Sequence, residues 1–267
     1  MNLTALTPCC VDYYPQLGRS FPGGNSLNVA AVWKQLSPDA AVSVITCLGN
    51  DESGDSVLSF LTERNIDTSR VYRCEGTTAT NQLRVDEHGE RFGIEGTWSG
   101  GVYETFHLSD DDWKFVSRQD IVAVPGNNPN FKEMLAQKAD KQFLVVDYLD
   151  VLNNVPVEDS IAYTDIAFIS SQPSMLDAFR KLAVATKKLL VVSMGAHGSR
   201  AFYDGNEYSQ SAFPVKKVVD TTGCGDAYLA AFSLYYFKHR DIQKAMYTGA
   251  SAAADVLTGW SGAGIVL

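Results

Sequence analysis

The residues best suited to chemistry lie in one short run near the end of the chain. Residues 220–226 read Asp-Thr-Thr-Gly-Cys-Gly-Asp, and the mostly apolar residues 227–234 predict a helix. A glycine-rich turn that opens a helix presents free N–H groups at the positive end of the helix dipole, which favours a bound anion. A carboxylate beside that anion is unfavourable unless it takes the proton of a hydroxyl attacking a phosphoryl group. The run therefore predicts Asp226 as a general base, with charge stabilised by the N–H groups of Gly223, Cys224 and Gly225.

A second glycine-rich segment near the start of the chain supplies candidate ligands for a polar substrate. Residues 22–28 read Pro-Gly-Gly-Asn-Ser-Leu-Asn and predict a tight turn before a helix. Asn28 follows Gly24 by one helical turn, and its amide can both donate and accept hydrogen bonds. Asp12 lies at the end of the first predicted strand, where it is either a solvated loop acid or a ligand. For Asp226 the alternative is a carboxylate that only complements the helix dipole.

Both segments resemble signatures of one enzyme family. Residues 220–226 resemble the C-terminal signature of the ribokinase-like (PfkB) carbohydrate kinases, D-T-x-G-A-G-D, with Cys224 in place of the usual alanine. Residues 22–30 resemble the N-terminal Gly-Gly signature of the same family. Residues 10–18, continuing to 22–25, are most similar to its fructoselysine 6-kinase branch. The resemblance covers essentially the whole chain and implies ATP-dependent phosphorylation of a primary sugar hydroxyl, with fructoselysine as the leading substrate.

The resemblance also implies which residues bind the two substrates. Residues 191–199 resemble the strand and glycine loop near the nucleotide phosphates, usually written V-T-L-G-x-x-G, and residues 213–218 and 249–258 would border the adenine. The implied sugar ligands are Asp12, Gly24, Asn28, Gln82 and Arg84, and the implied nucleotide ligands are Ser193, Gly195, Gly198 and Thr221. Gln82 and Arg84 alternate along one strand and so share a face, which could equally be an ordinary solvated face.

One departure from the family concerns magnesium. The family often carries N-x-x-E after the fifth or sixth strand, where this chain has Ser-Ser-Gln-Pro-Ser at residues 170–174. Mg²⁺ is expected with ATP, and it can be held largely by ATP phosphates and water. The sequence therefore assigns no protein ligand to the metal.

Composition limits the remaining possibilities. The chain of 267 residues has a formal net charge of −9, which argues against a nucleic-acid surface because phosphate contacts need Lys and Arg. Its five cysteines lack metal-type spacing and are expected to be reduced thiols. No leader-like segment or long apolar run is present, so we expect no membrane partner and a cytoplasmic protein.

The order of elements predicts an α/β fold. Short apolar runs at 42–49, 121–124, 143–147, 166–169 and 189–193 alternate with helical segments such as 55–64, which is typical of a mainly parallel sheet covered on both faces. The expected architecture is a single ribokinase-like kinase domain over residues 1–267, a three-layer α/β/α fold with a small β-sheet lid. Lid segments are expected near 11–20 and 75–100, the second as a hairpin around the polar turn 87–90. An uncovered lid face also predicts a possible homodimer through the lid.

Two alternatives to a fructoselysine kinase stay open. The first keeps the chemistry and changes the acceptor to another ketose, a nucleoside or fructose-asparagine, because specificity depends on few contacts. The second is a sugar-binding sensor without phosphoryl transfer, which the missing N-x-x-E favours and the intact Gly-Cys-Gly-Asp run opposes.

Overall fold

The computed structural model describes residues 1–150 and 160–262, and its centre is a nine-stranded sheet. The nine strands are β1 Asn2–Leu6, β4 Ala41–Gly49, β5 Val71–Cys74, β8 Ile121–Pro125, β9 Phe143–Asp150, β10 Ile166–Ser170, β11 Leu189–Ser193, β12 Ser199–Tyr203 and β13 Asn206–Gln210. Their order in the sheet is β13-β12-β11-β10-β9-β8-β1-β4-β5, with parallel pairing throughout except at the β11-β12-β13 edge, which is antiparallel. The mainly parallel sheet is therefore confirmed.

Helices cover both faces of this sheet. Alternate residues of one strand enter opposite cores: in β8, Ile121 and Ala123 pack on one side, and Val122 and Val124 on the other. This explains why the strands read as continuous apolar runs. The first core also contains α1 Asn25–Leu36, α2 Glu52–Glu63, α6 Cys224–His239 and α7 Ile242–Val256; the second contains α3 Asp110–Val116, α4 Phe131–Gln137 and α5 Leu176–Thr186. The three-layer α/β/α prediction is confirmed.

A separate four-stranded sheet, which we call the lid, lies at one edge of the fold. Its strands are β2 Cys10–Tyr14, β3 Arg19–Gly23, β6 Thr80–Val85 and β7 Arg91–Gly93, in the order β3-β2-β6-β7. The β2–β6 pair is parallel and the two outer pairs are antiparallel. The predicted hairpin is present as β6 and β7, and the Asp86 carboxylate caps its turn by accepting from the N–H groups of His88 and Glu90. The homodimer through the lid stays a prediction.

The packing of α1 on α6 brings the two glycine-rich segments together. Trp33 of α1 is fully buried, and its indole Nε1–H donates to the carbonyl of Ala230 in α6 at 3.0 Å. Both helices begin at the carboxyl edge of the sheet, where ligands bind in open α/β folds. Within residues 1–150 and 160–262, no helix has the length and apolar character needed to cross a bilayer.

Candidate active site

The turn before α6 has the backbone form that an anion site needs. Gly223 precedes the helix with φ +73°, and a Cβ at this position would collide with the backbone of Gly262, so only glycine fits. Ala227 donates its N–H to the Gly223 carbonyl at 2.9 Å, which closes the first helical turn. The N–H groups before Ala227 therefore point out of the helix start. Among these, the Cys224 N–H makes a long bond of 3.3 Å to the Thr221 carbonyl.

Asp226 is the third residue of α6, and its side chain faces the start of α1. Its Oδ1 accepts from the Asn25 side-chain amide and its Oδ2 from that of Asn28, each at 2.7 Å. The structure thus brings Asp226 and Asn28 together from opposite ends of the chain. Asn28 is 2% exposed, and its Oδ1 has no hydrogen-bond partner among the described residues. Since a buried acceptor without a partner is costly, this oxygen is suited to a hydroxyl of a ligand.

A second carboxylate lies beside Asp226. Asp147 is a partly buried residue of β9, and its Oδ2 accepts from the Asn25 amide at 3.0 Å. Burial first, and then the negative charge of Asp147, raise the pKa of Asp226 to about 7, against smaller opposing effects of Asn28, Arg91 and Asn25. Burial likewise raises the pKa of Asp147 to about 6. A base whose pKa lies near neutral pH is well matched to general base catalysis.

Asp12 lies on the lid side of the same cleft. It is 5% exposed, and within residues 1–150 and 160–262 the one side-chain hydrogen bond it accepts is a weak one from the Cys10 thiol at 3.7 Å, so it retains free acceptor capacity. Burial raises its pKa to about 6, and the charge of Arg91 opposes that rise. The carboxylate abuts the Cα of Gly23, where any Cβ would collide with it. Gly24 has φ +96° and leaves no room for a Cβ, which would meet the Pro8 carbonyl at 2.7 Å.

The lid register decides which side chains face this cleft. Asp12 pairs with Asn81, and Val85 pairs with Arg91, so Asp12, Asn81 and Arg91 share the inner face of the lid. Gln82 pairs with the 37% exposed Tyr13, and the guanidinium of Arg84 lies over the exposed Phe92 ring, 5.4 Å from its centroid. Gln82 and Arg84 do share a face as expected, but it is the outer one, away from Asp12. The structure does not bring them to the cleft, and their role in substrate binding stays a prediction.

Arg91 is an inner-face residue that the sequence analysis did not single out. Its charge lowers the pKa values of Asp12 and Asp226, which agrees with its place on the inner face. Its backbone N–H donates to the Thr221 hydroxyl at 2.9 Å, and the Thr221 N–H donates to the Gly89 carbonyl at 3.0 Å. Thr221, which was expected to bind the nucleotide, thus also joins the β6–β7 hairpin of the lid to the turn before α6.

A buried carboxylate joins the lid to the same turn a second time. Asp220 is fully buried, and its Oδ1 accepts from the N–H of Thr222 at 2.8 Å and from the Thr222 hydroxyl at 2.6 Å. Its Oδ2 accepts from the hydroxyl of Tyr14, in lid strand β2, at 2.7 Å and from the Ser261 N–H at 3.0 Å. Burial raises the pKa of Tyr14 well above its ordinary value, so the phenol stays a donor. Four hydrogen bonds satisfy this carboxylate and fix the turn.

The expected nucleotide ligands lie along the carboxyl edge of the sheet. Ser193 ends β11 and shares a hydrogen bond of 3.1 Å with Ser170 at the end of β10. Gly195 and Gly198 follow in a short loop with φ +55° and +79°. A cavity of about 540 Å³ lies between the segment 213–219 and the side of α7 that carries Ser251. A larger groove of about 770 Å³ between α1 and α7 is also lined by part of the segment 249–258, but by none of the residues predicted to bind the sugar or the phosphates.

The turn before α6 has room for a phosphate group. A Cβ built on Gly225 meets no atom within 4 Å, so there is open space above the turn. The described ranges contain no group of three or more His, Cys, Asp or Glu side chains placed to hold a metal ion.

Comparison with known sequences identifies relatives along almost the whole chain. The pattern that defines the pfkB family of carbohydrate kinases matches residues 10–264. Fructoselysine 6-kinase from Shigella flexneri is 30% identical over 262 residues, which cover 96% of this chain and 97% of that protein. Fructoselysine 6-kinase from Escherichia coli (strain K12) is 28% identical over 261 residues, with the same coverage.

Comparison with solved structures supports the same fold. The structure of Arabidopsis thaliana ribokinase complexed with ribose and ATP matches with a TM-score of 0.83, covering 99% of this chain and 95% of that one. Sequence identity in that match is 19%, so the likeness shows the ribokinase-like fold alone.

The Tyr14–Asp220 hydrogen bond should contribute measurably to stability. Tyr14→Phe leaves a buried carboxylate short of one donor, and we expect a loss of about 1.5–3 kcal/mol in the free energy of unfolding, measured with urea. The matched control is Tyr13→Phe on the same strand, where the side chain is exposed and the expected change is within about 0.5 kcal/mol. Equal stability of the two variants would contradict the role given to this bond.

Proposed function

Because this chain belongs to the pfkB family of carbohydrate kinases, we propose that it transfers the γ-phosphoryl group of ATP to the 6-hydroxyl of a fructosamine, fructoselysine first among them. The chain is a sugar kinase, and the proposal concerns its acceptor and the residues that act on it. The observation that carries the proposal is the position of Asp226. It lies between the N–H groups that open α6 and the two amides of α1, within reach of both an anion and a hydroxyl.

Sugar binding is the first step. Asp12 and Asn28 offer the free acceptors of the cleft, the carboxylate of Asp12 and the unpartnered Oδ1 of Asn28. A sugar hydroxyl that donates to each of them would satisfy buried groups that otherwise lack partners. These contacts would aim the terminal hydroxyl at Asp226.

Proton removal is the second step. Asp226 accepts the proton of the attacking hydroxyl as the oxygen approaches the phosphoryl group. The amide donors of Asn25 and Asn28 orient the carboxylate during this step, one on each oxygen. With a pKa of about 7, Asp226 is largely ionised above neutral pH and basic enough to take the proton.

Charge stabilisation accompanies the transfer. ATP supplies the phosphoryl group, and Mg²⁺, held by phosphate oxygens and water, would neutralise part of its charge. The N–H groups of Gly223, Cys224 and Gly225 would donate to the phosphoryl oxygens at the positive end of α6. Ser193, Gly195 and Gly198 would border the other phosphates, and the cavity beside Ser251 would accept the adenine.

The lid would exclude water during transfer. Its tip is held on the turn through Thr221, and its strand β2 is held through Tyr14. A water molecule in place of the sugar hydroxyl would waste ATP, so a closed lid favours the intended acceptor.

The acceptor is tested by ADP release with ATP and Mg²⁺ on a panel of fructoselysine, fructose-asparagine, fructose, ribose and adenosine. We expect the highest kcat/KM with fructoselysine, since the two fructoselysine 6-kinases compared above match the chain from end to end. Turnover with ribose or adenosine alone would keep the chemistry and reject the acceptor. Sugar binding without ADP release on any acceptor would reject the kinase and support a sensor.

Gly225 tests the position of the phosphoryl group. Gly225→Ala has room for its methyl group in the empty cleft, so the melting temperature should not change. The methyl would occupy the space assigned to the phosphoryl group, and we expect kcat to fall by about 10²-fold or more, in the range seen when a charge-stabilising donor is lost.

The control for stability is Gly93→Ala in the lid. Gly93 also has no atom within 4 Å of a built Cβ and no positive φ, so its variant should keep the melting temperature of the wild type. A Gly225→Ala enzyme with the wild-type kcat would place the phosphoryl group elsewhere.

A further inference from the structure

One amide group bridges the carboxylates of Asp147 and Asp226, which are both partly buried. The Nδ2 of Asn25 donates to Asp226 Oδ1 at 2.7 Å and to Asp147 Oδ2 at 3.0 Å. An amide nitrogen carries two hydrogens, so each carboxylate receives one of them. Asn25 is the first residue of α1, directly after Gly24, and these two hydrogen bonds orient its amide.

Asp147 is held on its other side by its own strand. Its Oδ1 accepts from the Leu149 N–H at 2.9 Å, and Leu149 adopts φ +58°, an uncommon conformation for a leucine. The Asp147 carboxylate is therefore oriented toward Asn25 without help from a ligand. In the part of the chain that the structure describes, no hydrogen bond joins it to Asp226, and it acts on Asp226 through the shared amide and through its charge.

We propose that Asn25 and Asp147 are positioning residues with opposite effects on Asp226: the charge of Asp147 makes Asp226 a stronger base, and the amide of Asn25 keeps it ionised and aimed. This inference rests on the proposed role of Asp226 and extends it to residues that do not touch the reacting atoms. The reason is electrostatic, because a nearby like charge disfavours an anion and a hydrogen-bond donor favours it.

Few other charged groups face Asp226. Arg91 from β7 is the cation on the lid side, and it favours the ionised form. Cys10 from β2 and Cys224 at the start of α6 also interact with Asp226, but burial raises both thiol pKa values, that of Cys224 to about 11. Asn28 from α1 is a neutral donor. Among the described residues, Asp147 and Arg91 are therefore the charged groups that act on Asp226 near neutral pH.

The two residues predict pH shifts of opposite sign. Catalysis needs ionised Asp226, so kcat/KM falls as the pH drops through its pKa. Asp147→Asn removes a negative charge, lowers that pKa, and should move the acid limb of the kcat/KM profile to lower pH. Asn25→Ala removes a donor to the carboxylate, raises that pKa, and should move the limb to higher pH. We expect each shift to be roughly one pH unit.

The experiment compares pH profiles of kcat/KM for the sugar at saturating ATP and Mg²⁺. The control is Asp39→Asn, which removes the same charge in the turn after α1, about 18 Å from Asn25 along the helix, and should leave the profile unchanged. Asn25→Ser and Asp147→Ser serve as second variants if either first variant fails to fold. A shift in the same direction for both residues, or lower activity with no shift, would overturn the proposal.

A direct titration separates this inference from the proposed function. The ¹³C NMR signal of the Asp226 carboxyl, assigned with Asp226→Asn, reports its pKa without turnover. Opposite shifts of that pKa in the two variants would support the inference even if no acceptor on the panel is phosphorylated. Unchanged values would overturn it even if fructoselysine proves to be the substrate.

Discussion

A carboxylate held beside an anion-binding helix start is the constraint on which the rest of this structure depends. Asp226 must stay ionised next to the phosphate groups that it serves, although like charges repel and burial favours its neutral form. Two hydrogen-bond donors stabilise the ionised carboxylate: the Asn25 amide donates to one oxygen and the Asn28 amide to the other. The positive end of α6 serves the phosphate, so base and anion do not compete for the same N–H groups.

That arrangement explains why two distant glycine-rich segments must meet. Gly24 and Gly223 both occupy backbone conformations with positive φ and have neighbours that exclude a side chain. The first directs α1, with its two amides, at Asp226; the second directs the start of α6 at the phosphate. Trp33 fastens one helix to the other through the Ala230 carbonyl, so the distance between amides and base is set by packing in the core.

The lid is tied to the same few residues. Asp220 and Thr221, the first two residues of the turn, bind Tyr14 of β2 and the backbone of β7 respectively. The position of the lid over the sugar and the shape of the turn around the phosphate are therefore coupled through direct hydrogen bonds. A displacement of the lid would therefore shift the turn directly, and a displacement of the turn would shift the lid.

The sequence was sufficient for the features that local chemistry determines. Apolar runs predicted the doubly covered sheet, the polar turn at 87–90 predicted the lid hairpin, and the resemblance of both motifs to one family implied that Asp226 and Asn28 serve the same reaction. It could not show which lid face is the inner one. Alternation places Gln82 and Arg84 on one face, but only the pairing of β2 with β6 shows that Asp12 is on the other face of the lid. Only the pairing of β6 with β7 shows that Arg91 is on the same face as Asp12. Likewise, only the fold shows that the Asn25 amide reaches Asp147.

The most direct test of this account is the turnover of Asp226→Asn with fructoselysine, measured beside its sugar affinity by calorimetry. The fold should tolerate the change, because the new side chain has the size of the old one and its oxygen can still accept from the Asn28 amide. The account predicts that kcat falls by about 10²- to 10⁴-fold, the usual contribution of a general base, while the sugar Kd stays within a few-fold of wild type. A variant that binds sugar and releases ADP at the wild-type rate would contradict it.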